Sequence, residues 1–447
     1  MAFFIDTSMI KYYHKICLKN LECRGGYLKT RAVRLYGKFD LRLDEFELPD
    51  IEENEILAKV VSDSICMSSY KAAEQGAAHK RVPDNVSENP VIIGHEFCGE
   101  LIKVGSRWAG RYLPGEKFVI QPALNYKGSL DAPGYSYNYI GGDATYIIIP
   151  NEVMEMNCLL PYDSEYWYCG SLTEPLSCVV GTFHAMYHTK RGSYIHEMGI
   201  KTGGRMIILA GAGPMGLAAI DYIIHCGKSP SVLVVTDIDS ARLARAQEIL
   251  DIEDAARNGV ELHYVNTSGM KDQVKELTDI AGGYFDDVLV FAPVSSVAEL
   301  GDSLLAQDGC LNFFAGPSKP DFKASLNLYN VHYSSTHIVG TSGGNTDDML
   351  ESIKMMKQGL INPSILVTHI GGLDSVIDTT LKLPSIPGGK KLIYTGIELP
   401  LTAIADFETL GKTDPLFKKL HELTSKTKGL WNGQAEKYLL NYFNMRA

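Results

Sequence analysis

The chain has 447 residues, 45% hydrophobic and 21% charged, the make-up of a soluble globular protein too long for one ordinary core. With 42 Lys and Arg against 53 Asp and Glu, the net charge is −11, which argues against nucleic acid or anionic membrane as a partner. A local basic pocket remains compatible with that balance.

Nine cysteines are scattered without a CxxC pair, which speaks for reduced thiols in a cytoplasmic protein and against a cysteine-rich structural zinc site. The start, Met1-Ala2-Phe3-Phe4-Ile5-Asp6, lacks the charged and apolar regions of a secretory signal. Residues 1–28 differ in pattern from the rest of the chain. They read either as a real extension or as untranslated leader read as protein, since Arg24-Gly25-Gly26 matches a purine-rich ribosome-binding sequence and Leu28 a TTG start.

A β pattern begins near Leu28 with Ala32, Val33 and Leu35, turns at Gly37, and continues through Leu41-Arg42-Leu43 and Ile56–Val61. Residues 29 to about 160 stay rich in strands and turns, among them Asp131-Ala132-Pro133-Gly134. From about 190 to 345, apolar strands alternate with helical stretches: Met206–Ala210, Val232–Thr236, Val288–Ala292, Cys310–Ala315 and Ile338–Gly340. That alternation predicts a doubly wound parallel sheet, an α/β Rossmann domain. Its most apolar window, Met206 to Ile224, holds three glycines, Pro214 and Asp221, and reads as strand–turn–helix instead of a membrane span. A strand at Leu366–Ile370 and another at Lys391–Tyr394 predict a return to the first domain. An amphipathic helical stretch at Leu416–Phe443 ends the chain. The expected division is 29–190 with 346–447 as one discontinuous β-rich domain, and 191–345 as the Rossmann domain. Ile338–Gly340 is a candidate sheet edge for a homodimer or tetramer.

Two groups of residues carry chemistry. Gly211-Ala212-Gly213-Pro214-Met215-Gly216 sits between a strand and a helix, the setting in which GxGxxG holds a dinucleotide pyrophosphate. Asp237 ends the next strand at the ribose-binding position and favours NAD(H) over NADP(H), although Arg242 and Arg245 lie close by. Cys66 comes just after one apolar strand, and His95-Glu96 come just after Val91-Ile92-Ile93-Gly94. Singly they are a buried thiol, a satisfied histidine and a surface acid; together they are side chains that hold a catalytic zinc. A third group, His184 and His188, has helical i,i+4 spacing but no glutamate between, and reads as helix surface and core packing.

Gly94-His95-Glu96-Phe97-Cys98-Gly99 matches the GHExxG motif, and the chain here resembles the zinc-dependent medium-chain dehydrogenase/reductase family. Ile65-Cys66-Met67-Ser68 looks like the family's first-ligand segment, and Glu174-Pro175-Leu176 is similar to a segment of its sorbitol dehydrogenase-like members. The resemblance runs from about Lys29 to Pro400 and implies a GroES-like catalytic domain beside the Rossmann domain. It implies Cys66, His95 and Glu96 as zinc ligands, Glu174 as a fourth ligand or water-binding acid, and Ser68 as the hydroxyl that relays a proton. Members with a second, structural zinc have a four-cysteine lobe. The matching stretch, Gln121 to Gly142, has no cysteine, so a single zinc is expected. Met67 and Trp108 also depart from the family's usual glycine and small aliphatic residue.

The resemblance implies hydride transfer between a nicotinamide and a sugar or sugar-phosphate carbonyl. Cys-Met-Ser-Ser-Tyr-Lys with a long C-terminal region is similar to the family's L-sorbose 1-phosphate reductases, whose product is D-glucitol 6-phosphate. Lys71, His79, Lys80 and Arg81 come shortly after that segment as a candidate phosphate site in an acidic chain. The other readings are an unphosphorylated polyol or 3-hydroxy amino acid dehydrogenase and, from a different class, a non-catalytic NAD-binding redox sensor.

Overall fold

The computed structural model describes residues 28–317 and 319–444, so the reading of residues 1–28 as extension or leader falls, all but Leu28, outside the described residues. Lys29–Gly37 and Asp40–Glu47 form an antiparallel hairpin, with Val91–Ile92 added on its other side. Ala32, Val33 and Leu35 are buried.

The larger β unit has eight strands. Its path runs Thr402–Ala403, Val367–Gly372, Lys390–Tyr394, Ile56–Ile65, Phe97–Val104, Lys117–Ile120 and Leu159–Pro161, with Tyr146–Ile149 also pairing to Ile56–Ile65. Ile56–Ile65 is central: most of its residues are apolar or small, and from Val60 onward every one is buried, Asp63 included. The late strand Lys390–Tyr394 pairs antiparallel with its end, Lys391 opposite Ile65, so the C-terminal third does return to the N-terminal sheet.

Six parallel strands form the other sheet, in the order Glu261–Asn266, Val232–Asp237, Arg205–Leu209, Phe285–Val290, Leu305–Phe313 and His337–Gly340. This is the doubly wound Rossmann order, with the strand order reversing between Arg205–Leu209 and Phe285–Val290, where such sheets bind ligands. The strand Glu261–Asn266 was not expected. It lies at the edge, where Glu261, His263 and Asn266 need not be apolar. The strand expected at Val288 starts at Phe285. It takes in Asp286 and Asp287, whose carboxylates meet Lys201 Nζ at 2.7 Å and His188 Nε2 at 3.0 Å.

The histidine pair differs from the expectation. The helix Thr173–His184 stops at His184, and His188 lies in the strand Tyr187–Thr189, so the two histidines do not share a helix face. His188 is buried, bonding Asp287 Oδ1 and the Asp308 carbonyl, both at 3.0 Å, while His184 bonds Asp348 Oδ1 at 2.7 Å.

The C-terminal stretch is two helices, Pro415–Thr424 and Gly433–Tyr442, separated by the positive-φ pair Lys428-Gly429. Trp431 and Glu436 are buried against Tyr394 and the helix Trp167–Ser171. Among the described residues no helix is long and apolar enough to cross a membrane.

Candidate active site

The central strand Ile56–Ile65 ends one residue before Cys66, which caps the helix Met67–Gln75. His95 and Glu96 lie where the chain crosses from Val91–Ile92, in the small sheet, to Phe97–Val104, in the large one. The crossover brings donor atoms of Cys66, His95 and Glu96 within 4.8 Å of one another, and it buries both His95 and Glu96. A thiol, an imidazole and a carboxylate at that separation fit zinc, and His95 Nδ1 is buried without a hydrogen-bond partner.

Lys390, at the start of its strand, ion-pairs with Glu96 Oε1, and Ser64 Oγ donates to Oε2. Burial pushes the Glu96 carboxyl up to about 7, against the pull of Lys390. Burial pushes the Cys66 thiol up, but the Lys390 ammonium and the hydrogen bonds from Ser68 together overcome it, and the thiol titrates below its ordinary value. Beneath the crossover lie two more buried carboxyls. Asp63 Oδ1 accepts from the Glu96 amide at 3.2 Å, and the Asp143 amide donates to the Ile93 carbonyl at 3.0 Å. Burial raises Asp143 to about 8, and burial with the Asp143 charge raises Asp63 well above the usual carboxylate range.

Ser68 Oγ, on the first turn after Cys66, is 3.2 Å from His95 Nε2, and the Tyr135 hydroxyl is 3.4 Å from the same nitrogen. Glu174, in the first turn of Thr173–His184, is raised by burial and then by the Glu96 charge, and its Oε1 is 3.7 Å from Cys178 Sγ. It falls outside the tight donor triad but within its field.

The glycine loop Gly211–Gly216 joins the strand Arg205–Leu209 to the helix Pro214–His225. Pro214 and Met215 open the helix Pro214–His225, Gly213 caps it, and a Cβ on Gly213 would meet nothing within 4 Å. A Cβ on Gly216 would sit 2.1 Å from the Gly211 carbonyl oxygen, so strand and helix approach only because that position is glycine. Asp237 closes its strand, its Oδ1 accepting from the Asp239 amide at 3.0 Å. Arg242 is mostly exposed and pairs with Asp239 at 3.8 Å, two residues beyond Asp237.

Lys71, Lys80 and Arg81 all act electrostatically on His79. His79 is lowered to about 4, by burial first and then by the charges of Arg81, Lys80 and Lys71. Its ring stacks on Tyr135 at 5.7 Å, and Tyr135 in turn lies 4.9 Å from the His95 ring. Lys71 Nζ reaches the Gly316 carbonyl at 3.5 Å, just past the parallel strand Leu305–Phe313. Among the described residues Lys71, Lys80 and Arg81 have no acidic partner. Lys80 is the most exposed of the four.

Sequence reasoning missed Lys390, Tyr135 and Glu436. Two lysines opening an otherwise apolar strand were the available signal for Lys390, and a tyrosine within a glycine-proline turn was the only one for Tyr135.

A family model for the alcohol dehydrogenase GroES-like domain matches residues 52–157, and one for zinc-binding dehydrogenases matches residues 214–358. The chain is 50% identical to mannitol-1-phosphate 5-dehydrogenase of Aliivibrio fischeri, over 93% of this chain and 99% of that one. It is 48% identical to L-sorbose 1-phosphate reductase of Klebsiella pneumoniae, over 92% and 97%. Among solved structures, 2R,3R-butanediol dehydrogenase of Bacillus subtilis superimposes with a TM-score of 0.65 at 21% identity, covering 82% of this chain and 99% of that one. Likeness at this level, along nearly the whole length and in both parts of the fold, means that the chain belongs to the zinc-dependent medium-chain dehydrogenase family and is an alcohol–ketone oxidoreductase of the polyol type.

Proposed function

We propose that the protein interconverts a ketose phosphate and a hexitol phosphate, with L-sorbose 1-phosphate, NADH and a proton giving D-glucitol 6-phosphate and NAD. The observation that carries the reading is the unpaired basic cluster of Lys71, His79, Lys80 and Arg81, joined to His95 through one aromatic ring. An unphosphorylated polyol has no use for such a cluster, and a redox sensor has none for the ligand triad.

Zinc held by Cys66, His95 and Glu96, with Glu174 close by, supplies Lewis acidity at the carbonyl oxygen. NADH, with its pyrophosphate at the Gly211–Gly216 loop, supplies the hydride. Ser68 is the side chain for proton transfer, because its hydroxyl lies at the His95 edge on a helix that begins at Cys66. Lys390 holds the Glu96 carboxylate in place by ion pairing.

The Aliivibrio relative favours a second reading, oxidation of mannitol 1-phosphate at carbon 5, far from the phosphate. In L-sorbose 1-phosphate the phosphate is only three bonds from the carbonyl carbon. Direct adjacency of the basic cluster to the His95 side favours that shorter spacing.

The joint change Lys71→Ala with Arg81→Ala tests the cluster. It raises KM for L-sorbose 1-phosphate by about tenfold or more, the value of one or two lost charge-assisted contacts, and leaves KM for free L-sorbose nearly unchanged. Equal effects on both sugars contradict the reading. For the cofactor, Asp237→Ser weakens NADH binding by about tenfold and narrows its advantage over NADPH, measured by fluorescence titration of both. An unchanged ratio contradicts the preference for NADH. The edge strand His337–Gly340, bonded on one side only and carrying exposed Ile338, is the proposed site of pairing between two copies. Sedimentation of an Ile338→Pro variant as monomer, against an oligomeric wild type, supports it.

A further inference from the structure

We propose that Tyr135 is a specificity-determining residue, the platform that fixes the phosphate-binding side chains at a set distance from the metal ligands; this rests on the sugar-phosphate reading above. Tyr135 comes from the loop after Asp131, the stretch in which other family members would carry a cysteine lobe. Here the loop is held by its own backbone: Gly134 donates to the Ile140 carbonyl at 3.2 Å and Tyr135 to the Ala132 carbonyl at 3.1 Å. It is pressed onto the ligand crossover so closely that a Cβ on Gly134 would stand 2.1 Å from the Gly94 carbonyl oxygen and 3.0 Å from His95 Cβ.

The buried ring then meets three groups. His95 lies 4.9 Å away, His79 stacks at 5.7 Å with only 10° between planes, and the Arg81 guanidinium carbon is 5.7 Å from the ring centroid. The same loop ties down Arg81 from a second direction, because Ser136 Oγ donates to the Arg81 carbonyl at 2.7 Å. The Arg81 amide donates to His79 Nδ1 at 3.3 Å, which leaves the hydrogen on Nε2. Among the described residues Nε2 has no acceptor, and the Arg81 guanidinium has no acid. A neutral donor and a fixed cation held against one aromatic ring make a small anion site. A phosphate three bonds from a carbonyl carbon reaches it while the carbonyl oxygen stays beside His95.

Packing alone would make Tyr135 matter equally for every substrate. A platform makes it matter for the phosphate, so the test is a split between substrates. Tyr135→Met, which keeps volume and loses the ring, raises KM for L-sorbose 1-phosphate by about tenfold and KM for free L-sorbose by less than about threefold, with zinc per chain unchanged. Tyr135→Phe keeps the ring and therefore the wild-type ratio of the two KM values, even where loss of the hydroxyl lowers kcat. The inference is overturned if Tyr135→Met leaves the ratio intact, or if Tyr135→Phe abolishes it. Should the methionine variant not fold, Tyr135→Leu, which also removes the ring, is measured in its place against the same two outcomes. Wild type is measured first: equal KM values for ester and free sugar overturn the sugar-phosphate reading itself, whereas wild-type discrimination that survives in Tyr135→Met overturns the role of Tyr135 alone.

Discussion

Cys66→Ser lowers kcat/KM by about a thousandfold or more and releases zinc, while the protein stays folded. A Lewis acid at a developing alkoxide is worth several kcal/mol, and each 1.4 kcal/mol is about tenfold in rate. The serine hydroxyl does not ionise at neutral pH, so the anionic donor disappears. The thiol, by contrast, is helped toward its anion by Lys390 and by hydrogen bonds from Ser68, which together overcome the cost of burial. Stability changes little, because Cys66 caps the helix through its backbone and its side chain makes no capping hydrogen bond. Zinc per chain, kcat/KM and melting temperature on one preparation check the prediction. Full zinc content with full activity would remove Cys66 from the ligand set.

Glu436→Ala destabilises the protein by about 3 kcal/mol or more, although it lies in a C-terminal helix beyond both family matches. Its carboxylate accepts from the Trp167 amide at 2.8 Å, the Tyr168 amide at 2.7 Å and the Tyr394 hydroxyl at 2.7 Å. All three donors are buried, so removing the acceptor leaves each one unsatisfied. The loss reaches the site, because Trp167–Ser171 leads directly into Glu174 and Tyr394 shares a strand with Lys390. Denaturant midpoints and amide exchange of residues 167–171 read the effect.

Glu436→Gln keeps one acceptor and costs less. Burial raises Glu436 to about 7 despite its donors, so the folded state binds the proton more tightly than the unfolded chain. Wild type therefore loses stability relative to Glu436→Gln as pH rises from about 4.5 through about 7. A parallel pH dependence of the two proteins would contradict this.

The parts of the molecule legible from sequence are those set by local rules. Gly211 to Gly216 is visible because a tight turn, a pyrophosphate and a close strand–helix contact each demand glycine in a fixed order. Cys66, His95 and Glu96 are visible because each comes directly after an apolar strand that determines where it lands. What stayed hidden depends on distant pairing. Lys390 finds Glu96 only through a strand that returns nearly 300 residues later, at a sequence separation of 294. Tyr135 takes its meaning from Gly134 pressing on Gly94, and Glu436 from a helix far back in the chain. His188 shows the reverse error, since its i,i+4 spacing from His184 suggested a helix that the Asp287 and Asp308 contacts override.

NADH absorbance is the decisive readout, with zinc-loaded enzyme given L-sorbose 1-phosphate or free L-sorbose, before and after treatment by a strong chelator. Sugar-phosphate reduction at a zinc site requires rapid oxidation with the phosphate ester, little with the free sugar, and loss of turnover on chelation while NADH still binds. Faster turnover of the free sugar, or turnover untouched when zinc is removed, would contradict it.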